Sequence, residues 1–193
     1  MNIILASGSP RRKNLLETMG LRSFTILKPD FDEGAVTAPD PGTLVEALSR
    51  GKAAAAAGSC ADPGALILAA DTVVALDDAV LGKPADEADA FRMLSALSGR
   101  RHKVYTGVTV RRGDRVLTGH EVTEVAFRPL TESEIRAYIR TGEPMDKAGA
   151  YGIQGRGSLL VEGIVGDYFN VMGLPVCRLG RMLREFGLDC LGQ

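Results

Sequence analysis

Cysteine is scarce in this chain: Cys60, Cys177 and Cys190 are an odd number without C-x-x-C spacing, and only His102 and His120 could add imidazole. That argues against a disulfide framework or a zinc site and fits a reducing, cytoplasmic setting. Net charge is equally scarce. The 23 basic and 24 acidic residues leave a formal charge of −1, so no global field draws the protein to nucleic acid or a membrane, and any anion site must be local. No segment approaches the roughly 18 apolar residues of a membrane span, and the N-terminal apolar run is too short for a signal peptide. The G-x-x-x-x-G-K-[ST] loop and the dinucleotide fingerprint are both missing. Internal repeats, low-complexity tracts and long linkers are absent too. What remains is an ordinary globular composition, 45% hydrophobic over 193 residues, which predicts one compact domain spanning residues 1–193.

The beginning of the chain carries the strongest local pattern. Ile3-Ile4-Leu5-Ala6 suits a buried strand, Ser9 an N-cap, Pro10 the first helical position, and Leu15, Leu16 and Met19 one helical face. Arg11, Arg12 and Lys13 crowd the positive end of that helix, where cations are unfavourable by roughly 0.3–1 kcal/mol each. An anion would repair this. Free N–H groups, a small Ser7-Gly8-Ser9 turn and two guanidiniums make a candidate phosphate site, to be weighed against a solvated basic turn.

Further along, Ser23–Leu27 alternates like a half-buried strand, and the acidic turn Pro29–Gly34 holds Glu33, which matters only beside phosphate, where a divalent ion wants oxygen ligands. A helix is expected from Asp40 to about Gly58. Lys52 lies about 40° from Leu48 on its wheel, so it is either a lysine snorkelling from the apolar face or a functional cation. The apolar run Ala65–Ala70 is interrupted by Asp71-Thr72 before Val73–Leu76 resumes. Buried Asp is costly without a partner, which leaves a bulge or buried hydrogen bond against metal ligation or general-base work. Lys83 follows in the constrained turn Leu81-Gly82-Lys83-Pro84. A helix over Asp86–Leu97, a hairpin from His102 to Phe127 and a capping-box helix from Thr131 come next. Residues 142–157 hold five glycines in sixteen positions, with Tyr151, Ile153 and Gln154 among them, so this loop is expected to pack. Ser158–Val161 and Tyr168–Val171 read as strands, and Val176–Phe186 as a closing helix.

Arg11, Arg12, Glu33, Lys52, Asp71 and Lys83 together describe cations for an oligophosphate and carboxylates for a divalent ion. The segments Leu5–Arg12, Ala70-Asp71-Thr72, Leu81-Gly82-Lys83-Pro84 and Gly142–Gly155 resemble, in order and almost end to end, the Maf family of nucleoside triphosphate pyrophosphatases. The resemblance implies an α/β fold similar to that of inosine triphosphatases, a mixed twisted sheet with flanking helices in two lobes around a central cleft. It implies hydrolysis of a nucleoside triphosphate to the monophosphate and pyrophosphate with Mg²⁺ or Mn²⁺, and a homodimer. By resemblance, Asp71 takes the proton of the attacking water, Glu33 and Asp71 attend the metal, and Ser7, Arg12, Lys52 and Lys83 hold the triphosphate. Arg11, Thr72 and Gln154 match the branch acting on dTTP and UTP; the 7-methyl-GTP branch typically has Trp in place of Arg11. The alternatives are a nucleotide-sensing regulator of cell division that binds without significant turnover, or a 7-methyl-GTP pyrophosphatase.

Overall fold

Two close approaches set the first half of the fold. In the computed structural model, which describes residues 1–192, a nineteen-residue helix α2 (Pro41–Ser59) lies so near strand β5 (Arg101–Arg112) that a Cβ on Gly107 would sit 2.1 Å from the Val45 carbonyl oxygen. Only glycine fits there. Beside it, the buried hydroxyls of Ser49 and Thr109 bond at 2.9 Å. Gln193, the last residue of the expected domain, lies outside the described residues.

The remaining elements are β1 (Ile3–Leu5), α1 (Pro10–Thr18), β2 (Thr25–Ile26), β3 (Leu66–Leu76), β4 (Ala79–Leu81), α3 (Glu87–Leu97), β6 (Arg115–Phe127), α4 (Glu132–Ile139), β7 (Val161–Val165), α5 (Tyr168–Met172) and α6 (Val176–Glu185). Seven strands form one mixed sheet in the order β2-β1-β3-β5-β6-β7, with β4 returning along β3. β1 runs parallel to β2 and β3, whereas β4 on β3 and β7 on β6 are antiparallel. This is the mixed α/β architecture expected from the sequence.

The chain divides into two compact units. The first contains Met1–Asp71, Thr106–Glu121 and residue 173 onward; the second contains Thr72–Tyr105 and Val122–Met172. In the first, small side chains let α2 seat on the sheet: Ala53 and Ala56 pack with Ile4, Ala6, Ala65, Ile67 and Ala69. In the second, α3 and α4 bury Leu94, Leu97, Ile135 and Tyr138 with Val104, Phe127 and Tyr151. Each fully buried side chain of this kind contributes roughly 1.5–3 kcal/mol. The rings of His102, Phe127 and Tyr151 meet edge to face at 4.7–5.3 Å between centroids.

Helices begin where the sequence places their starts. Ser9, Asp40, Asp86 and Thr131 each accept a backbone N–H, and Thr131 with Glu134 forms the full capping box. Three strand expectations need correction. Ser23–Leu27 contributes only β2, two exposed residues, because at this edge it has a three-residue partner and no second face to cover. Tyr168–Val171 lies within a helix: the Asp167 carboxylate accepts the Phe169 N–H, and buried Asn170 donates to the Val104 carbonyl and the Thr123 hydroxyl, contacts that override strand propensity. Ser158–Leu159 closes a 3-10 turn, so the strand predicted there begins at Val161. Asp71 does not interrupt β3 either; an eleven-residue strand runs through it.

Candidate active site

Ser9 caps α1 and Pro10 opens it, leaving Arg11 and Arg12 in a first turn with no acidic residue. Arg12 folds back over the preceding turn. Its Nε donates to the Gly173 carbonyl at 2.8 Å and its Nη1 to the buried Ser7 hydroxyl at 3.2 Å, which also accepts the Ser9 N–H. Ser7 therefore orients a guanidinium fork at a helix N-terminus. Burial draws the Arg12 pKa below the ordinary arginine value; the charge of Asp71 opposes this, Arg11 adds to it, and Glu33 opposes it. Arg12 thus shares one electrostatic neighbourhood with both candidate metal carboxylates. Lys13, by contrast, pairs with Glu17 one turn along.

The second half of the cluster follows from two periodicities. Side chains alternate along a strand, so Asp71 points the same way as Ala65, Ile67 and Ala69, the residues that pack on α2. On α2, Lys52 precedes the buried Ala53. The lysine accordingly reaches the strand rather than solvent: its Nζ bonds Asp71 Oδ1 and, at 2.9 Å, Glu33 Oε1. With Lys52 12% and Asp71 10% exposed at the side chain, this is a largely desolvated pair, and the snorkelling alternative is set aside. Glu33 comes from the acidic turn, where Asp32 caps a short 3-10 helix, Glu33–Ala35.

Side chains that the sequence does not single out hold this arrangement. A Cβ on Gly51 would lie 2.2 Å from the Phe31 ring, so the aromatic packs directly on the helix backbone beside Lys52 and brings the acidic turn with it. The Lys28 stem crosses Gly8, its Cε 2.5 Å from where a Cβ would stand, which lays a further cationic side chain over the Ser7-Gly8-Ser9 turn. Neither has a sequence signature: Phe31 reads as a lone aromatic and Lys28 as an ordinary surface lysine.

Chemically, the cluster offers cations for phosphate oxygens and two carboxylates converging on one point. Among the described residues no group of three or more His, Cys, Asp or Glu side chains gathers as a metal cage. Two carboxylates are nevertheless a fitting protein share for Mg²⁺ or Mn²⁺, ions that complete an oxygen shell with substrate phosphates and water.

Thr72, Lys83 and Gln154 belong to the second unit. Thr72 is the one position of β3 that is not buried. Lys83 is exposed in the turn after β4, where the Gly82 carbonyl accepts the Gly149 N–H at 3.0 Å. Gln154 is exposed between buried Ile153 and Gly155 in the glycine-rich segment. That segment packs as expected, as three short 3-10 turns at Glu143–Asp146, Ala148–Ala150 and Gly155–Leu159. Among the described residues no helix is long and apolar enough to cross a membrane.

Comparison with known proteins fits these observations. Residues 2–186 match the family described as Maf-like protein. A dTTP/UTP pyrophosphatase of Symbiobacterium thermophilum is 54% identical over 185 residues, 96% of this chain and 94% of that protein. One of Moorella thermoacetica is 52% identical over 193 residues, 99% of this chain and 98% of that protein. The structure of a HAM1 protein from Coxiella burnetii superposes with a TM-score of 0.54 at 16% identity, covering 96% of this chain and 99% of that one. This last likeness is one of fold.

Proposed function

Because the chain belongs to the Maf-like protein family, we propose that it carries the activity for which its relatives are named, hydrolysing dTTP and UTP to the monophosphate and pyrophosphate. The observation that carries the proposal is the convergence of Lys52 with Asp71 and Glu33 beside Arg12. A buried base, a cation and a second carboxylate are what attack of water on a phosphorus needs.

In this reading Asp71 accepts the proton as water oxygen bonds the α-phosphorus and the bond to the pyrophosphate oxygen breaks. Arg12, held by Ser7, and Lys52 meet the charge that moves onto the leaving pyrophosphate, and Lys83 is proposed as a further phosphate-binding cation. Glu33 and Asp71 would hold a divalent cation, Mg²⁺ or Mn²⁺, which supplies Lewis-acid stabilisation of phosphate oxygens. Gln154 supplies base choice: its amide can pair with N3–H and one neighbouring carbonyl oxygen of uracil or thymine. Arg11 and Thr72 match the dTTP/UTP branch of the family and complete the assignment. The test is pyrophosphate release from dTTP, UTP, CTP, ATP, GTP and 7-methyl-GTP with Mg²⁺ or Mn²⁺. Hydrolysis led by dTTP and UTP is expected. Preference for 7-methyl-GTP or a purine triphosphate, or tight binding without release, contradicts the proposal.

A further inference from the structure

Glu143 lies outside every role assigned above, yet its carboxylate organises the whole glycine-rich segment. Oε1 accepts the Tyr138 hydroxyl at 2.9 Å and the Gly157 N–H at 3.0 Å, and Oε2 accepts the Arg156 N–H at 3.0 Å. The same Tyr138 hydroxyl accepts the Gly152 N–H at 3.2 Å. One side chain at the start of the segment thereby fastens its end, and Gln154 is pinned two residues to either side. Burial works against the Glu143 charge, but the N–H of Gly157, the hydroxyl of Tyr138, the N–H of Arg156 and the Lys147 charge outweigh it and hold the carboxyl below its usual range. Gly155 has φ +67°, and a Cβ there would stand 2.8 Å from Glu143 Oε2, so the carboxylate occupies the space a larger residue would need.

The segment's middle is tied as well. The Glu143 carbonyl accepts Lys147 Nζ at 2.6 Å, and the Gly149 N–H reaches the Gly82 carbonyl in the turn that carries Lys83. Gly149 packs against Val74 so closely that a Cβ would come within 2.8 Å of its methyl carbon. The bond from Gly149 to the Lys83 turn is made by backbone alone, whereas the Glu143 carboxylate frames the backbone on either side of Gln154.

We propose that Glu143, acting with Tyr138, is a positioning residue that presents Gln154 to the nucleobase and so determines pyrimidine selectivity without touching substrate. The inference rests on the pyrophosphatase reading above. Its chemistry demands a carboxylate, because each of its three partners donates and only an acceptor with two oxygens serves them all. Glutamine in its place turns an NH₂ toward one of those donors.

The experiment compares the parent protein with Glu143→Gln and the milder Tyr138→Phe, which removes one hydroxyl. Steady-state kinetics with dTTP and GTP are combined with peptide-resolved hydrogen exchange and melting temperature. The parent must prefer dTTP. Hydrogen bonds to a charged group are worth enough to expect Glu143→Gln to lower kcat/KM for dTTP about 10- to 100-fold, chiefly through KM, while kcat for GTP stays within about threefold. Exchange should quicken across residues 142–157 and leave residues 3–18 protected. Tyr138→Phe should move both readouts the same way by less, so the inference stays testable if Glu143→Gln folds poorly. A parent without dTTP preference overturns the pyrimidine reading and this inference together. A selective parent whose variants keep the dTTP-to-GTP ratio, or lose all rates in equal proportion with falling melting temperature, overturns the positioning role alone.

Discussion

Asp71 and Lys52 stand on long regular elements, an eleven-residue strand and a nineteen-residue helix, whereas Gln154 stands among short 3-10 turns fastened by Glu143. In the first region, strand and helix periodicity alone bring the charged groups together. In the second, side-chain bonds to backbone N–H groups do the work that periodicity does elsewhere. The difference suits the two tasks proposed for these regions. Charge chemistry needs a geometry that does not yield, and a desolvated ion pair between packed elements provides it. Base selection needs an exposed amide at a set height, and a loop held from within can supply that while varying independently of the core.

The comparison is broken most severely at Asp71. Asp71→Asn is nearly isosteric, yet a carboxamide neither takes the proton nor binds a cation as an anion, so turnover should fall by about 10²–10⁴. Measured kcat against Mg²⁺ or Mn²⁺ concentration checks this; turnover within about threefold of the parent, with unchanged metal dependence, removes Asp71 from the chemistry.

Next in size is Lys52→Met. It strips the cation from a carboxylate that is 7% exposed, and breaking a buried pair from one side costs about 3–5 kcal/mol. Chemical denaturation should show a loss of that order, reduced by whatever water reaches Asp71. Adding Asp71→Asn to Lys52→Met should recover most of the stability and none of the turnover. A single Lys52→Met that melts higher than the parent restores the snorkelling alternative.

The helix starts were legible in the sequence because each rests on short-range rules: Ser9 and Thr131 cap as predicted, and the helices expected from Asp40 and from Asp86 begin there. The individual site residues were legible as misfits, a lysine near an apolar face and an aspartate in a strand. Their convergence was not, because sequence does not say which face of the sheet α2 covers. Once that face is known, the odd-numbered positions of β3 put Asp71 under Lys52. Tyr168–Val171 misled because aromatic and branched residues favour strands, while the deciding contacts of Asn170 come from residues 47 and 66 positions away. Glu143 left no signal, since hydrogen bonds inside a loop impose no period.

A smaller effect concerns pH and a histidine of the second unit. His102 is buried beneath the second unit's loop, bonded through Nε2 to the Tyr151 hydroxyl at 2.8 Å, with no partner for Nδ1 among the described residues. Burial depresses its pKa from 6.5 to about 4. The unfolded chain therefore binds this proton more readily, so stability declines as pH falls from 6.5 towards 4, by a total on the order of 3 kcal/mol. Stability curves for the parent and His102→Gln should diverge in slope across that window and run parallel above pH 7. Identical slopes would show that the imidazole gains its proton in the folded state as easily as in the unfolded.

The division of labour itself is tested most directly by measuring kcat/KM for dTTP and GTP in Asp71→Asn and Gln154→Leu. The account predicts that Asp71→Asn lowers both substrates by the same factor and keeps their ratio. It predicts that Gln154→Leu lowers dTTP alone, eroding the ratio by the about 1–3 kcal/mol that a bidentate pair to a base edge is worth. Equal losses for both substrates in Gln154→Leu, or a changed ratio in Asp71→Asn, would contradict the assignment of chemistry to one region and base choice to the other.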